Sequence, residues 1–379
     1  MPPAHEESAP QTATEVLEAD ADGIRAAADL LRDGELVAFP TETVYGLGAC
    51  AFDEEAVGAV FRAKGRPSTD PLIVHVAGVG AAEALGDLHT DGGLARMLVE
   101  AFWPGPLTVV VPKSDVEGPG PRLATAVSPT QTVGLRCPAH DVALELLRTA
   151  GVPVAAPSAN RFGRVSPTSA QHVLAELGGR IRCVLDGGST PLGVESTVVG
   201  VGEAAGCPPG SVRLLRPGGV PLEDLVAVLP PGTLEDLGSA SVDPGVAAHS
   251  PGTSVSHYAP EVPVVFTVDT PGLAAAVAAG LRSRGLRAVE LPLPEATEAA
   301  RGLYSLLRGL DEPPTGGTRV DAAVISALPP EGLGRAVNDR LLRAAHGHLQ
   351  HNADIETIDG ILERIGVPLD APTARTDQR

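Results

Sequence analysis

Lysine is nearly missing from this chain of 379 residues: of 28 lysine and arginine side chains, only Lys64 and Lys113 are lysine. Aromatic residues are scarce too, at 3%, so Val, Leu and Ala must fill the cores. No run approaches the ~18 consecutive apolar residues of an ordinary membrane-spanning helix. The opening stretch, MPPAHEESAPQTATEVLEAD, lacks the basic segment and apolar run of a secretory signal. Four cysteines, Cys50, Cys137, Cys183 and Cys207, form no CxxC pair and no metal-ligand spacing, which favours free thiols in a reducing cytosol and a cytoplasmic protein. His346, His348 and His351 lie close together, but no carboxylate or cysteine completes a familiar metal set, so no protein-held metal is expected. The common nucleotide and hydrolase signatures are missing: no GxxxxGK(S/T), no complete GxGxxG between a strand and a helix, no HExxH and no GxSxG. Net charge is −19 and no Lys/Arg-rich run exists, which argues against stable nucleic-acid binding. A local basic cleft for a small anion remains compatible with that charge, because local field outweighs net charge.

What is present describes a folded chain of two or three domains: 43% hydrophobic residues, 20% charged, and 44 glycines with 36 prolines that demand many turns. Residues 1–20 read as a flexible tail. Helical periodicity begins at IRAAADLLRDG, with Gly34 as its stop. ELVAFP (35–40) reads as a strand and TETVYGLG (41–48) as a turn-rich loop. Asp53 is a good cap for the helix DEEAVGAVFRAK, which ends at Lys64-Gly65 before Pro67. PLIVHV (71–76), LTVVVP (107–112), TVGLR (132–136), PVAA (153–156), RCVLD (182–186) and STVVGV (196–201) read as strands, with helices among them at 80–88, 92–102, 141–150 and 168–178. The expectation is a mixed α/β domain over 21–218. A Pro/Gly/Ser-rich linker follows over 219–260. A β-α-β-α-β-α alternation then occupies 261–367, implying a parallel sheet flanked by helices. Residues 368–379 read as a second flexible tail.

Four polar clusters carry possible chemistry. Lys64-Gly-Arg66-Pro places two cations at a helix end; they grip an anion, or they only favour the negative end of the helix dipole. In a chain so poor in lysine, a lysine here points to a need for a compact ammonium. PSANRFGRVSPT (157–168) sets Ser158, Asn160 and Ser166 at a strand's C-terminal end, where open α/β sheets bind ligands; the plainer reading is a polar turn with a helix cap at Ser166 or Thr168. VESTVV (194–199) and VRLLRPG (212–218) each read as a strand, the latter with exposed Arg213 and Arg216.

Taken in order, FPTETVYGLG (39–48), KGRP (64–67), PLIVHV (71–76), WPGPLT (103–108), APSAN (156–160), SPT (166–168), ESTVV (195–199), LRPG (215–218) and SPGTSVSHYAP (250–260) resemble the YrdC-like family, in its two-domain threonylcarbamoyl-AMP synthase form. The resemblance spans roughly 21–350. It implies a twisted mixed sheet around a concave cavity, a C-terminal Rossmann-like three-layer α/β domain, and a linker that reaches back over the opening as a lid. The implied reaction joins L-threonine, bicarbonate and ATP, with Mg2+ accompanying the nucleotide, to give threonylcarbamoyl-AMP and pyrophosphate. A separate transferase complex then passes the group to position 37 of tRNA.

Residue by residue, the resemblance assigns Lys64 and Arg66 to the phosphates and to catalysis. It places Asp70, Thr132, Ser158, Asn160, Ser166, Arg216 and the lid's Tyr258 around ATP. Thr43, His75, Arg136, Ala156 and Ser196 would frame threonine. One departure is Ser256, where relatives commonly carry a basic residue before His257-Tyr258. Two rivals stand beside this reading. A hydrogenase-maturation carbamoyltransferase would bring CxxC pairs and an acylphosphatase-like region, and neither is present. A nucleotide- or RNA-binding regulatory module without turnover is the other.

Overall fold

The computed structural model describes residues 13–68, 70–114, 122–203, 206–236, 258–311 and 319–367. Its first part runs β1 (Glu15–Glu18), α1 (Ala21–Arg32), β2 (Val37–Phe39), β3 (Gly46–Cys50), α2 (Glu54–Lys64), β4 (Ile73–His75), α3 (Val79–Glu83), α4 (Thr90–Phe102), β5 (Leu107–Pro112), β6 (Thr132–Arg136), α5 (Asp141–Ala150), β7 (Val154–Ala155), α6 (Ala170–Leu177), β8 (Cys183–Asp186), β9 (Thr197–Val201), β10 (Val212–Arg216), α7 (Leu222–Val228) and β11 (Leu234–Glu235). These strands form one mixed eleven-stranded sheet, in the order β1-β8-β2-β3-β7-β4-β6-β5-β9-β10-β11. The second part runs β12 (Val264–Thr267), α8 (Leu273–Ser283), β13 (Ala288–Glu290), α9 (Ala296–Asp311), β14 (Ala322–Ser326), α10 (Leu333–Ala344), β15 (Leu349–Gln350) and α11 (Ile355–Arg364). Its four strands are parallel, in the order β13-β14-β12-β15.

Local sequence explains the elements that frame the site. Asp20 caps α1 by accepting the N–H groups of Asp22 and Gly23, and Ile24, Ala27, Ala28 and Leu31 recur at helical spacing on the buried face. Asp53 caps α2 in the same way, and Gly65 closes it in the left-handed conformation, with φ 63°. In the second part, the two faces of the sheet alternate strictly. Val265, Ala322 and Val324 pack with α8 and α11, while Phe266, Ala323 and Ile325 pack with α9 and α10. That makes a three-layer α/β unit. The α9/α10 layer shares its core with Val44, Val165, Val194 and Tyr258, so the second unit rests directly on the first.

Several expectations need correction. The tail expected over 1–20 ends earlier, because Glu15–Glu18 pair in parallel with β8 and Asp20 caps α1. Residues 1–12 and 368–379 lie outside the described residues, as does 237–257 of the expected linker. The described start of that linker is structured, carrying α7 and β11. The turn-rich loop expected over 41–48 becomes strand from Gly46. The glycines there serve packing, since a Cβ at Gly48 would sit 2.8 Å from Val154 and 2.9 Å from Phe39. The cap of α6 is Ser169 rather than Ser166 or Thr168. Arg216, read as exposed, is buried.

Candidate active site

Loops and strand ends of the first sheet converge on a cavity lined by Arg66, His75, Arg136, Ser196, Arg216 and Tyr258. Parallel neighbours β4 and β6 set His75 directly beside Arg136 in register. The loop after β7 supplies Ala156, Pro157 and Ser158, and Ser196 stands just before β9. Arg216 ends β10, where a register shift between Leu214 and Arg216 marks a bulge. Such a bulge re-aims the strand's side chains, and here it leaves the guanidinium on the cavity wall. Arg66 follows α2, and Tyr258 closes one side. The Arg216-Pro-Gly turn fits only because Gly218 has no side chain: a Cβ there would lie 2.3 Å from the Ser196 carbonyl carbon and 2.4 Å from Glu195 O.

The charges are buried and unevenly matched. Arg66, Arg136 and Arg216 reach the cavity, and Lys64 is buried beside them. Lys64 Nζ donates to the carbonyl oxygens of Ser158 and Asn160, which ties α2 to the loop after β7. Burial, and then neighbouring Arg66, pull the Lys64 ammonium well below its usual pKa. Burial also lowers Arg66 and Arg216. Arg66 donates to Pro71 O at 3.1 Å and lies 3.6 Å from Asp70. Arg216 donates through Nη2 to Ser196 O at 2.9 Å. Arg136 is held from behind by Glu42 at 2.8 Å and donates to the Thr43 hydroxyl at 2.9 Å.

His75 is neutral. Burial, and then Arg136, drop its pKa to about 3. Its Nδ1 has no hydrogen-bond partner among the described residues. Glu195 is the opposite case. Burial pushes its pKa up, but the Arg340 and Arg216 guanidiniums and hydrogen bonds from Ser166 and Tyr304 override that and hold it at about 2.

The residues singled out in the sequence therefore fall into three groups. Arg66, His75, Arg136, Ala156, Ser158, Ser196, Arg216 and Tyr258 share the cavity wall. Lys64, Asp70 and Thr43 contact members of that wall. Asn160 donates through Nδ2 to the Arg161 and Arg164 carbonyls and leaves Oδ1 unpartnered among the described residues. Ser166 spends its hydroxyl on Glu195 at 2.7 Å. Thr132 lies at the start of β6, bonded to Thr130 at 2.8 Å, and is not part of the wall. Sequence reasoning gave no role to Glu42, Glu195, Tyr304 or Arg340. The first two sit inside quoted motifs, TETVYGLG and ESTVV. Tyr304 and Arg340 lie on distant helices, and no local pattern points to them.

Among the described residues, no group of three or more His, Cys, Asp or Glu side chains is arranged to hold a metal, and His346, His348 and His351 form no such set. No described helix is long and apolar enough to cross a membrane.

Cations gathered around a neutral imidazole make a site suited to an anionic reactant. At an effective dielectric of about 20, each close cation–anion contact is worth on the order of a few kcal/mol.

Residues 29–218 match the profile of the Sua5/YciO/YrdC family, described as telomere recombination, and residues 220–346 match that of the threonylcarbamoyl-AMP synthase C-terminal domain. The threonylcarbamoyl-AMP synthase of Pyrococcus abyssi is 39% identical over 355 residues, covering 85% of this chain and 94% of that one. The Bacillus subtilis enzyme of the same name is 38% identical over 350 residues, covering 86% and 94%. The crystal structure of P. abyssi Sua5 complexed with L-threonine superposes with a TM-score of 0.78 at 37% identity, over 90% of this chain and 99% of that one. With this cavity, this pair of α/β units and relatives matched over nearly their full length, the chain belongs to the two-domain, YrdC-like threonylcarbamoyl-AMP synthase family.

Proposed function

We propose that the cavity gathers ATP, L-threonine and bicarbonate, with Arg66, Arg216 and Lys64 answering the phosphates and Arg136 the threonine carboxylate. The activity is that of the family, formation of threonylcarbamoyl-AMP with release of pyrophosphate for tRNA modification. The single observation that carries the residue assignment is that three guanidiniums, Arg66, Arg136 and Arg216, line one cleft.

The chemistry suits that arrangement. The threonine amine adds to bicarbonate and loses water, giving a carbamate. A carbamate oxygen then attacks the α-phosphorus, a P–O bond forms, and the bond to the β-phosphate oxygen breaks as pyrophosphate leaves. Nucleophile and target are both anionic, so their approach in water is opposed. Fixed cations in a water-poor site offset that repulsion and hold the in-line geometry. Thr43 extends the Arg136 end of the site, and Ser196 and the Ala156 backbone border threonine. His75, kept neutral, offers an Nδ1 that has no hydrogen-bond partner among the described residues, without adding a further charge. Ser158 and Asn160 present polar groups beside the phosphates, and Tyr258 covers the nucleotide. Asp70 braces Arg66, and Ser166 acts through Glu195. Thr132 enters only if the nucleotide extends along β6.

ATP arrives as its Mg2+ complex. Of the carboxylates around the cavity, Glu42 is engaged by Arg136, Glu195 by Arg340, Ser166 and Tyr304, and Asp70 lies 3.6 Å from Arg66. Phosphate oxygens and water therefore supply most of the cation's ligands. The product passes to a transferase complex acting on tRNA.

The test is pyrophosphate release measured with each of the three reactants left out in turn. The expected result is turnover only with all three. Release that persists without threonine would overturn this reading in favour of simple nucleotide hydrolysis.

A further inference from the structure

The second α/β unit reaches the cavity wall at Glu195 through two side chains, Arg340 and Tyr304. Arg340 on α10 is completely buried. Its Nε donates to Glu195 Oε2 at 2.8 Å, and its Nη1 donates to Pro217 O at 2.9 Å. Glu195 and Pro217 are the chain neighbours of Ser196 and Arg216, the two wall residues that are themselves joined, since Arg216 donates to Ser196 O. The guanidinium carbon also lies 5.3 Å from the centroid of the Tyr258 ring. Tyr258 in turn stacks on Tyr304 at 5.6 Å, and the Tyr304 hydroxyl donates to Glu195 at 2.7 Å. Asp339 anchors Arg340 from its own helix at 2.6 Å. The units touch closely enough that a Cβ on Gly193 would fall 2.5 Å from Ala300 O on α9.

Stability alone does not account for such a network. A buried ion pair usually contributes little more than apolar side chains of the same volume would. This one has a position that apolar packing could not use. Glu195 is a carboxylate on the wall of a cavity built for anions. Without an opposing charge it would repel a phosphate, or it would draw Arg216 away from one.

We propose that Arg340 is a positioning residue for the nucleotide half of the site: by neutralising Glu195 and clamping the ends of β9 and β10 together, it holds the Arg216 guanidinium on the cavity wall, where it meets phosphate. This rests on the functional reading above, and it gives the C-terminal unit a direct part in ATP binding. The threonine half meets the network at Ser196, whose carbonyl accepts from Arg216, while Arg136 and His75 sit on the neighbouring strands β6 and β4.

The experiment uses the full-length protein with Arg340→Met, Arg340→Lys and the double variant Glu195→Gln/Arg340→Met. Steady-state pyrophosphate release gives KM for each substrate, and calorimetry gives ATP affinity without turnover. Arg340→Met is expected to raise KM for ATP by about 10- to 100-fold while KM for threonine moves less than about twofold. Removing the unpaired carboxylate in the double variant is expected to restore most of the ATP affinity. Arg340→Lys keeps the charge without the fork and should fall between wild type and Met; it serves as the readout if Arg340→Met does not fold. Wild-type ATP affinity in Arg340→Met or Arg340→Lys would overturn the proposal. Equal losses for ATP and threonine that the double variant fails to repair would also overturn it, by reducing Arg340 to a structural prop. Because calorimetry needs no turnover, an inactive wild type would count against the functional reading and leave the Arg340 result legible.

Discussion

Arg66→Ala is expected to lower kcat/KM for ATP by about 10²- to 10³-fold, with the fold intact. Arg66 is one of three guanidiniums on the cavity wall, and it donates to a backbone carbonyl, that of Pro71. Its Nε has no hydrogen-bond partner among the described residues, so the side chain keeps donor capacity in reserve. Charge that develops on the transferring phosphorus is stabilised by fixed donors, and losing one of them typically costs about 3–4 kcal/mol of transition-state stabilisation. Asp70, the partner left behind, is partly exposed and can be hydrated, so the stability penalty should be small. Pyrophosphate-release kinetics together with urea unfolding separate the two effects. Near-normal kcat/KM in a folded Arg66→Ala protein would remove Arg66 from the phosphate site. Lys64→Ala should be at least as damaging to activity but less clean, because it also strips two carbonyls, those of Ser158 and Asn160, of their donor.

Arg136→Met should separate function from stability at the other end of the cavity. Loss of the guanidinium removes the threonine carboxylate's partner, and kcat/KM for threonine should fall by about 10²-fold or more. It also leaves Glu42 buried without its cation, a change of the kind that destabilises by about 3–5 kcal/mol. Adding Glu42→Gln removes the stranded charge. The double variant should therefore regain much of the lost stability in denaturant unfolding while its threonine kinetics stay impaired. If threonine kinetics recover along with stability, Arg136 serves the fold and not the substrate.

These expectations draw on features that were unequally visible in the sequence. Strands such as Leu107–Pro112 and Thr132–Arg136, and helix Asp141–Ala150, could be read to the residue because apolar periodicity and turn residues agreed there. The alternation of the second unit was legible for the same reason. Strand Glu15–Glu18 was not, because EVLE is short and mostly exposed, and its strand character comes from pairing with β8. Gly46–Cys50 was misread because its glycines are selected by close packing against Phe39 and Val154, which no local rule reports. Within the site, Lys64 stood out through the rarity of lysine. Arg216 looked like an exposed strand residue until the bulge and the cavity behind it were seen. Arg340 lies 145 residues from Glu195, and Tyr304 lies 109 from it. Long-range charge pairs of that kind carry no signature in a single sequence, since either partner alone reads as an ordinary polar residue on a helix or loop.

The most direct measurement is a crystal structure of the protein with a non-hydrolysable ATP analogue and L-threonine bound together. The account predicts both ligands in the one cavity, triphosphate oxygens within hydrogen-bonding distance of Arg66 and Arg216, and the threonine carboxylate on Arg136. A nucleotide bound elsewhere, or triphosphate and amino acid lying too far apart for the carbamate to reach the α-phosphorus, would contradict it.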